Sequence, residues 1–168
     1  MPTDDANSFD DVLSANRDYA GRFQLADLKA SAARGLAVLT CMDSRIDPLG
    51  LLGLAPGDAK ILRNAGARVT DDVLRTLVLA SHLLGVVRVM VIAHTDCRMS
   101  NGGEDEVHAS IRAAGGPDTR SLSFLTTDDQ VGSVCADVQR VQSSPYLGNV
   151  TVGGFLFDLR TGQLQQVC

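Results

Sequence analysis

Two short stretches of the sequence hold its most reactive side chains. Cys41 ends an apolar run, and His94 is followed three residues later by Cys97. Two thiolates and one imidazole suit zinc, which takes sulfur and nitrogen ligands at tetrahedral angles and makes no redox demand. Because three protein ligands leave a fourth position free for water or substrate, Cys41, His94 and Cys97 predict a catalytic rather than a structural zinc site.

A carboxylate and a guanidinium lie close to the first of these ligands. Asp43 follows Cys41 by two residues, and Arg45 follows Asp43 by two. Asp43 is a candidate fourth ligand in a closed state, or an acceptor for a hydrogen bond from zinc-bound water, and a bidentate pair with Arg45 would hold it off the metal. Taken alone, the two residues also fit a plain structural ion pair. Beside three metal ligands, we interpret Asp43 and Arg45 as catalytic.

The strands that must position these residues follow from the apolar pattern. Strands are predicted at the apolar runs 36–41, 59–63, 86–93 and 150–159, and a turn leads to an edge strand at 163–167. Their alternation with helices implies an α/β fold, a mainly parallel sheet of about four strands plus the C-terminal edge strand, flanked by helices. Ligands bind at the carboxyl ends of parallel strands, so Cys41, His94 and Cys97 converge if their strands are neighbours.

Helices are predicted between the strands. Thr70 caps a helix over 71–84, whose acidic first turn suits the positive end of the helix dipole and which ends before a glycine. Thr127 and Gln130 have the spacing of a capping box, which opens a second helix that runs to about residue 141.

Two further segments are less regular. Residues 1–30 form an N-terminal helical arm, with an amphipathic helix at 9–20 whose apolar stripe needs a partner in this core or in another subunit. Segment 100–126 is glycine-rich, polar and weakly periodic, which indicates an irregular loop, a candidate for mobility, with room for one short helix.

Composition narrows the class of protein. The 168 residues suit a single domain, 45% of them are hydrophobic, and the net charge is -5. No basic stripe is present, so nucleic acid is excluded as a partner. No apolar run reaches the roughly 20 residues that span a bilayer, and the acidic N-terminus lacks a signal-like apolar region, so we expect a cytoplasmic protein without a membrane partner.

The remaining cysteines and histidines have simpler interpretations. Cys135 lies on the apolar stripe of its helix and is interpreted as a small core residue. Cys168 is expected to be a free terminal thiol, because a core of this size needs no disulfide. His82 is expected at the surface of its helix, and His108, in the irregular segment, is a minor candidate for proton transfer.

Three motifs in register resemble the signatures of the β-class carbonic anhydrases. They are CMDSR at 41–45, RNAG at 63–66 and HTDC at 94–97. The similarity runs from about residue 36 to 93, includes the motif that follows, and resumes in the C-terminal strand. One position departs from the family pattern, because Arg98 stands where a glycine usually follows the second cysteine, and its bulk and charge would either attract bicarbonate or crowd the pocket.

The resemblance implies a zinc enzyme, a carbonate dehydratase, that hydrates carbon dioxide reversibly to bicarbonate by means of zinc-bound hydroxide. It implies Cys41, His94 and Cys97 as ligands and Asp43 and Arg45 as the catalytic dyad. It also implies a homodimer or homotetramer in which the N-terminal helix packs on the partner subunit.

Three alternatives stay open at this point. The same scaffold would suit a non-catalytic zinc-binding or bicarbonate-sensing protein, or a hydrolase of carbonyl sulfide or carbon disulfide. The third is a redox switch in which Cys41 and Cys97 form a disulfide when the metal is lost.

Overall fold

The computed structural model describes residues 8–168, and the start of the N-terminal arm, residues 1–7, lies outside them. Its centre is a five-stranded sheet. In chain order the strands are β1 (Leu36–Cys41), β2 (Ala59–Asn64), β3 (Arg88–His94), β4 (Thr151–Phe157) and β5 (Leu164–Gln166). Their spatial order is β2-β1-β3-β4-β5, with all pairs parallel except β4 with the edge strand β5. The predicted α/β fold is confirmed.

The helices, also in chain order, are α1 (Asp10–Ala20), α2 (Pro48–Leu51), α3 (Asp71–Leu83), α4 (Glu104–Ala113) and α5 (Gln130–Gln142). Buried residues of α3 and α5 pack on one face of the sheet: Val73, Leu77 and Ala80, and Val134, Val138 and Val141. On the other face, Leu36, Val38 and Ile92 are buried. The sheet is therefore covered more completely on one side than on the other.

The start of α3 agrees with the sequence, and the start of α5 does not. Thr70 accepts a hydrogen bond from the Val73 amide, as its capping role predicts. The capping box at the start of α5 was wrong. Asp129, not Thr127, caps α5, and the Thr127 amide donates to the Met99 carbonyl instead. Contacts with distant residues therefore use the Thr127 amide and the Gln130 side chain, the two groups that would have paired in the capping box.

The N-terminal helix α1 stands apart from the core. None of its eleven residues is buried, and its apolar side chains Phe9, Val12, Leu13 and Tyr19 are between 47% and 75% exposed. The predicted helix is confirmed, and its stripe stays largely exposed among residues 8–168, where Tyr19 contacts Phe23 at a distance of 5.6 Å between ring centroids.

The irregular loop predicted at 100–126 is only partly irregular, because α4 occupies ten of its residues. The acidic first turn of α4, Glu104–Glu106, suits the positive end of the helix dipole, and Val107 and Ile111 are partly buried one turn apart. The Glu104 carboxylate also accepts hydrogen bonds from the amides of Phe124 and Thr126, at 2.9 and 3.2 Å. These contacts hold the end of the segment against the start of the helix.

Both predictions for the distal cysteines were wrong, because Cys135 and Cys168 form a disulfide. The antiparallel strand β5 brings the end of the chain back beside β4, where the Cys168 carbonyl accepts the Gly154 amide. Helix α5 covers the same strand, which leaves the two Cα atoms 5.9 Å apart, a normal spacing for a disulfide. The supposed lack of a disulfide therefore no longer favours the cytoplasm.

Within residues 8–168, every helix is too short or too polar to cross a membrane.

Candidate metal centre

The adjacent strands β1 and β3 bring the three predicted ligands together. Cys41 is the last residue of β1, His94 is the last of β3, and Cys97 follows after a short turn. The Sγ atoms of the two cysteines lie 3.9 Å apart, and the three donor atoms all lie within 4.8 Å of one another. All three side chains are buried. The predicted convergence at the carboxyl edge of the sheet is present.

The orientation of His94 leaves one ring nitrogen free to bind a metal. Its Nδ1 donates to the Thr95 carbonyl at 2.8 Å, because that oxygen can only accept. In the neutral ring Nε2 then carries a lone pair. Among residues 8–168, Nε2 is the one buried side-chain nitrogen or oxygen without a hydrogen-bond partner. A buried acceptor that points at two thiols fits a metal that prefers sulfur and nitrogen ligands.

A tight turn returns Cys97 to the site. Asp96 has a φ of 54°, in the left-handed region that aspartate tolerates better than most residues. Thr95 is held through both its backbone and its side chain, since its amide donates to the Phe157 carbonyl and its Oγ1 accepts from the Leu159 amide. The turn is therefore anchored to the end of β4.

The two thiols influence each other through a shared hydrogen bond. The hydrogen bond from Cys97 lowers the pKa of Cys41, although burial opposes the shift. The same hydrogen bond, together with burial, raises the pKa of Cys97. For His94, burial lowers the pKa, but the neighbouring Cys41 and the Thr95 carbonyl outweigh it, so the pKa is raised. The pocket thus favours one thiolate, and a cation would favour two.

Asp43 lies beside the cluster and is held by Arg45. Arg45 donates through Nε and Nη2 to the two carboxylate oxygens, at 2.9 and 2.7 Å, and through its amide to Oδ1. Oδ2 of Asp43 lies 4.0 Å from Nε2 of His94. The predicted bidentate pair is present, and the Arg45 guanidinium holds the pKa of Asp43 well below its usual range.

Sequence reasoning missed a second carboxylate, Asp96, that contacts the same guanidinium. Nη1 of Arg45 donates to Oδ2 of Asp96 at 2.8 Å, and Nη2 donates to its carbonyl. The hydrogen bonds to Asp43, and to a smaller extent those to Asp96, raise the pKa of Arg45. The signal in the sequence was the placement of Asp96 between His94 and Cys97.

The RNAG motif supports the loop after β1. Arg63 donates from Nε to the Cys41 carbonyl and from Nη2 to the Asp43 carbonyl, at 3.0 and 2.6 Å. The Met42 amide donates to the Asn64 carbonyl. Gly66 has a φ of 77°, and a Cβ there would come within 3.3 Å of the Met99 Cβ. The glycine therefore permits both the backbone turn and the approach of the Cys97 loop.

Three other residues singled out in the sequence lie apart from the donor atoms. Arg98 is exposed and donates to the Asn101 carbonyl at 2.6 Å. His108, in α4, is hydrogen bonded to Thr119. His82 is exposed, as predicted.

Comparison with known proteins agrees with the site. A family model described as carbonic anhydrase matches residues 36–115. Beta-carbonic anhydrase 1 of Mycobacterium tuberculosis is 35% identical over 161 residues, which cover 94% of this chain and 96% of that protein. A carbon disulfide hydrolase of Saccharolobus solfataricus is 31% identical over 157 residues, or 79% and 77% of the two chains.

A solved structure extends the likeness to the whole fold. The carbonic anhydrase of Streptococcus mutans matches with a TM-score of 0.88 and 36% identity, over 95% of this chain and 97% of that one. A likeness that spans nearly all of both chains, joined to a Cys-His-Cys cluster at the carboxyl edge of the sheet, shows that this chain belongs to the β-carbonic anhydrase family.

Proposed function

We propose that this chain catalyses the reversible hydration of carbon dioxide to bicarbonate, with zinc held by Cys41, His94 and Cys97. The observation that carries the proposal is the buried cluster of three donor atoms within 4.8 Å, one of them a histidine nitrogen with no other partner. A zinc ion bound there would supply Lewis acidity that lowers the pKa of water, and two thiolate ligands favour a less acidic water than three histidines do, so we expect higher activity at alkaline pH.

Asp43 is the proposed catalytic carboxylate. Because Arg45 keeps it ionised, it accepts hydrogen bonds and does not donate them, so it can orient the hydrogen of an attacking water. Its Oδ2 is close enough to His94 Nε2 to act beside the donor cluster. Arg45 binds both carboxylate oxygens, which supports the arrangement with Asp43 held off the metal rather than as a fourth ligand.

Arg45 acts through Asp43. It lies between two carboxylates, those of Asp43 and Asp96, and each takes a different part of the guanidinium. A lysine at this position would supply the charge but not the planar, forked geometry. The role of Arg45 is therefore to fix the direction in which Asp43 accepts.

The test combines metal content and turnover. We expect the purified protein to contain zinc by elemental analysis and to hydrate carbon dioxide in stopped flow, and Cys41→Ala to lose the metal. Asp43→Asn should keep zinc but lose on the order of 100-fold or more in rate, because it loses the anionic acceptor. Asp72→Asn, at an exposed ion pair in α3, is the matched control and should change neither quantity.

Several outcomes would contradict parts of this proposal. Full zinc occupancy in Cys41→Ala would remove that residue from the ligand set, and unchanged turnover in Asp43→Asn would remove Asp43 from the chemistry. Zinc without hydration activity would favour a bicarbonate sensor. Absence of zinc, with Cys41 and Cys97 oxidised, would favour a redox switch, for which the 3.9 Å between their sulfurs is short enough.

A sulfur-containing substrate is the second candidate. It is favoured by the likeness to the carbon disulfide hydrolase of Saccharolobus solfataricus. Release of hydrogen sulfide from carbon disulfide or carbonyl sulfide, measured beside carbon dioxide hydration on the same preparation, distinguishes the two functions.

We also propose that the chain forms a homodimer, or a homotetramer built from such dimers, through α1. Within residues 8–168 the apolar stripe of α1 is largely exposed. On the less covered face of the sheet, Ile61, Met90 and Phe155 are only partly buried. Analytical ultracentrifugation should show a dimer or tetramer, and Val12→Asp with Leu13→Asp should dissociate it; a monomeric wild type would contradict the proposal.

A cytoplasmic location stays a prediction. Disulfides persist mainly in oxidising compartments, so the state of Cys135 and Cys168 in the cell tests it. Thiol trapping should find both thiols reduced if the protein works in the cytoplasm, and a disulfide in freshly trapped cells would refute that location.

A further inference from the structure

Gln130, the first residue of α5, contacts the segment that carries two of the proposed ligands. Its Nε2 donates to the His94 carbonyl at 2.7 Å and to the Ser100 Oγ at 3.0 Å. An amide nitrogen has two hydrogens, so both donors are used. One side chain from a distant helix therefore connects the two ends of the segment 94–100.

Ser100 extends this contact to the second cysteine. Its Oγ accepts from Gln130 and donates to the Cys97 carbonyl at 3.0 Å, which uses the hydroxyl in both directions. The Ser100 amide donates to the same carbonyl. The carbonyls of both His94 and Cys97 are thus held, one by Gln130 directly and the other through Ser100.

The helix that presents Gln130 is firmly attached to the core. Val134, Val138 and Val141 of α5 are buried, and Asp129 caps its first turn. The cavity between Gln130, Ser100 and Cys97 has a volume of about 10 Å³, which is the lower limit for a single water. At most one water therefore fits beside these hydrogen bonds in the intact protein.

We infer that Gln130 and Ser100 are positioning residues for the metal centre. They bind the backbone of His94 and Cys97 and thereby fix the directions of the ring nitrogen and the sulfur, while they contact neither metal nor substrate. The inference rests on the proposed metal site. Outer contacts of this kind change metal affinity by about 10- to 100-fold when they are removed.

The rate of zinc release to a colorimetric chelator tests the inference directly. Gln130→Met keeps the length of the side chain and removes both donors, and we expect it to release zinc at least 10-fold faster than wild type. Ser100→Ala should shift the rate in the same direction by less, because Gln130 still holds the His94 carbonyl. Gln139→Met, at an exposed position of the same helix, is the matched control and should release zinc at the wild-type rate.

Cobalt substitution supplies a second readout. The visible absorption of cobalt reports ligand geometry, so Gln130→Met should alter the spectrum while Gln139→Met should not. If Gln130→Met does not fold, as judged by circular dichroism, Ser100→Ala decides the question, since the loss of one hydroxyl leaves packing intact.

The outcomes separate this inference from the proposed function. Wild-type zinc release and an unchanged cobalt spectrum in both Gln130→Met and Ser100→Ala would overturn the positioning role, whatever the turnover. A wild-type protein that holds zinc but does not hydrate carbon dioxide would refute the proposed function and leave the zinc-release comparison valid. A wild-type protein that binds neither metal would overturn both.

Discussion

The buried ion pair between Arg68 and Asp137 allows a quantitative prediction about the frame of the site. Asp137 is 4% exposed and accepts from Arg68 Nε at 2.7 Å and from the Val69 amide at 3.1 Å. The Arg68 side chain is 20% exposed. Its backbone is hydrogen bonded on both sides by Asn64, at the end of β2. The pair therefore joins α5 to the loop that supports Cys41.

The expected effect of Asp137→Asn follows from this burial. The substitution keeps the shape of the side chain and one acceptor, but it leaves a largely buried guanidinium without its counter-ion. Removal of one partner of a buried pair costs about 3–5 kcal/mol. At about 2–4 °C for each kcal/mol in a chain of this size, the melting temperature should fall by roughly 6–20 °C.

The assay is thermal and urea unfolding of wild type and variants at one protein concentration, because an oligomer's stability depends on concentration. Asp72→Asn breaks an exposed ion pair with Arg75 and should cost well under 1 kcal/mol. The double variant Arg68→Met with Asp137→Leu removes both charges and should be more stable than Asp137→Asn. A loss below 1 kcal/mol in Asp137→Asn would refute the assignment of this pair as a tie between α5 and the site.

Three further predictions concern metal, acid and redox conditions. Chelation of zinc should lower the melting temperature by about 5–10 °C if zinc is present at 100 times its dissociation constant, where binding stabilises by about 2.7 kcal/mol; no shift would contradict a metal bound to the folded state. The pKa of Glu104 is lowered mainly by the hydrogen bond from the Phe124 amide. The stabilising contact of the Glu104 carboxylate is therefore complete above the unfolded pKa of about 4.3, and it is lost as pH falls through the folded pKa. The protection factor of the Phe124 amide, which is the intrinsic exchange rate divided by the observed rate at the same pH, should therefore fall in acid in wild type, whereas Glu104→Gln should show no such acid-dependent change. Cys168→Ser should destabilise by about 3–4 kcal/mol, since the disulfide closes a loop of 33 residues, and it should match reduced wild type.

The parts of the fold that the sequence predicts are those in which local pattern and tertiary structure agree. The apolar run of β1 is buried at all six positions, as a continuous apolar run predicts for a strand that is covered on both faces. The rule that ligands bind at the carboxyl ends of parallel strands then predicted that Cys41 and His94 lie close together. They do, because β1 and β3 are neighbours. Strand boundaries were less accurate, since β3 begins at Arg88 and not at residue 86.

The parts that the sequence does not predict depend on contacts between distant residues. The spacing of Thr127 and Gln130 fits a capping box, but the structure engages both residues with the segment after β3. The disulfide depends on the register of β5 against β4, which places Cys168 beside α5 and which no spacing of cysteines reveals. In both cases the decisive partner lies far away in the sequence, so local spacing does not reveal it.

Arg98 shows how one departure from a family pattern can be accommodated by the backbone. A glycine is favoured where φ is positive or where another chain comes close. In this chain the left-handed residue of the turn is Asp96, and Arg98 instead opens a short 3₁₀ turn, Arg98–Ser100. Its side chain is exposed and returns to the Asn101 carbonyl. Since the backbone at this position does not use the left-handed region, the arginine is compatible with the turn that brings Cys97 to Cys41 and His94.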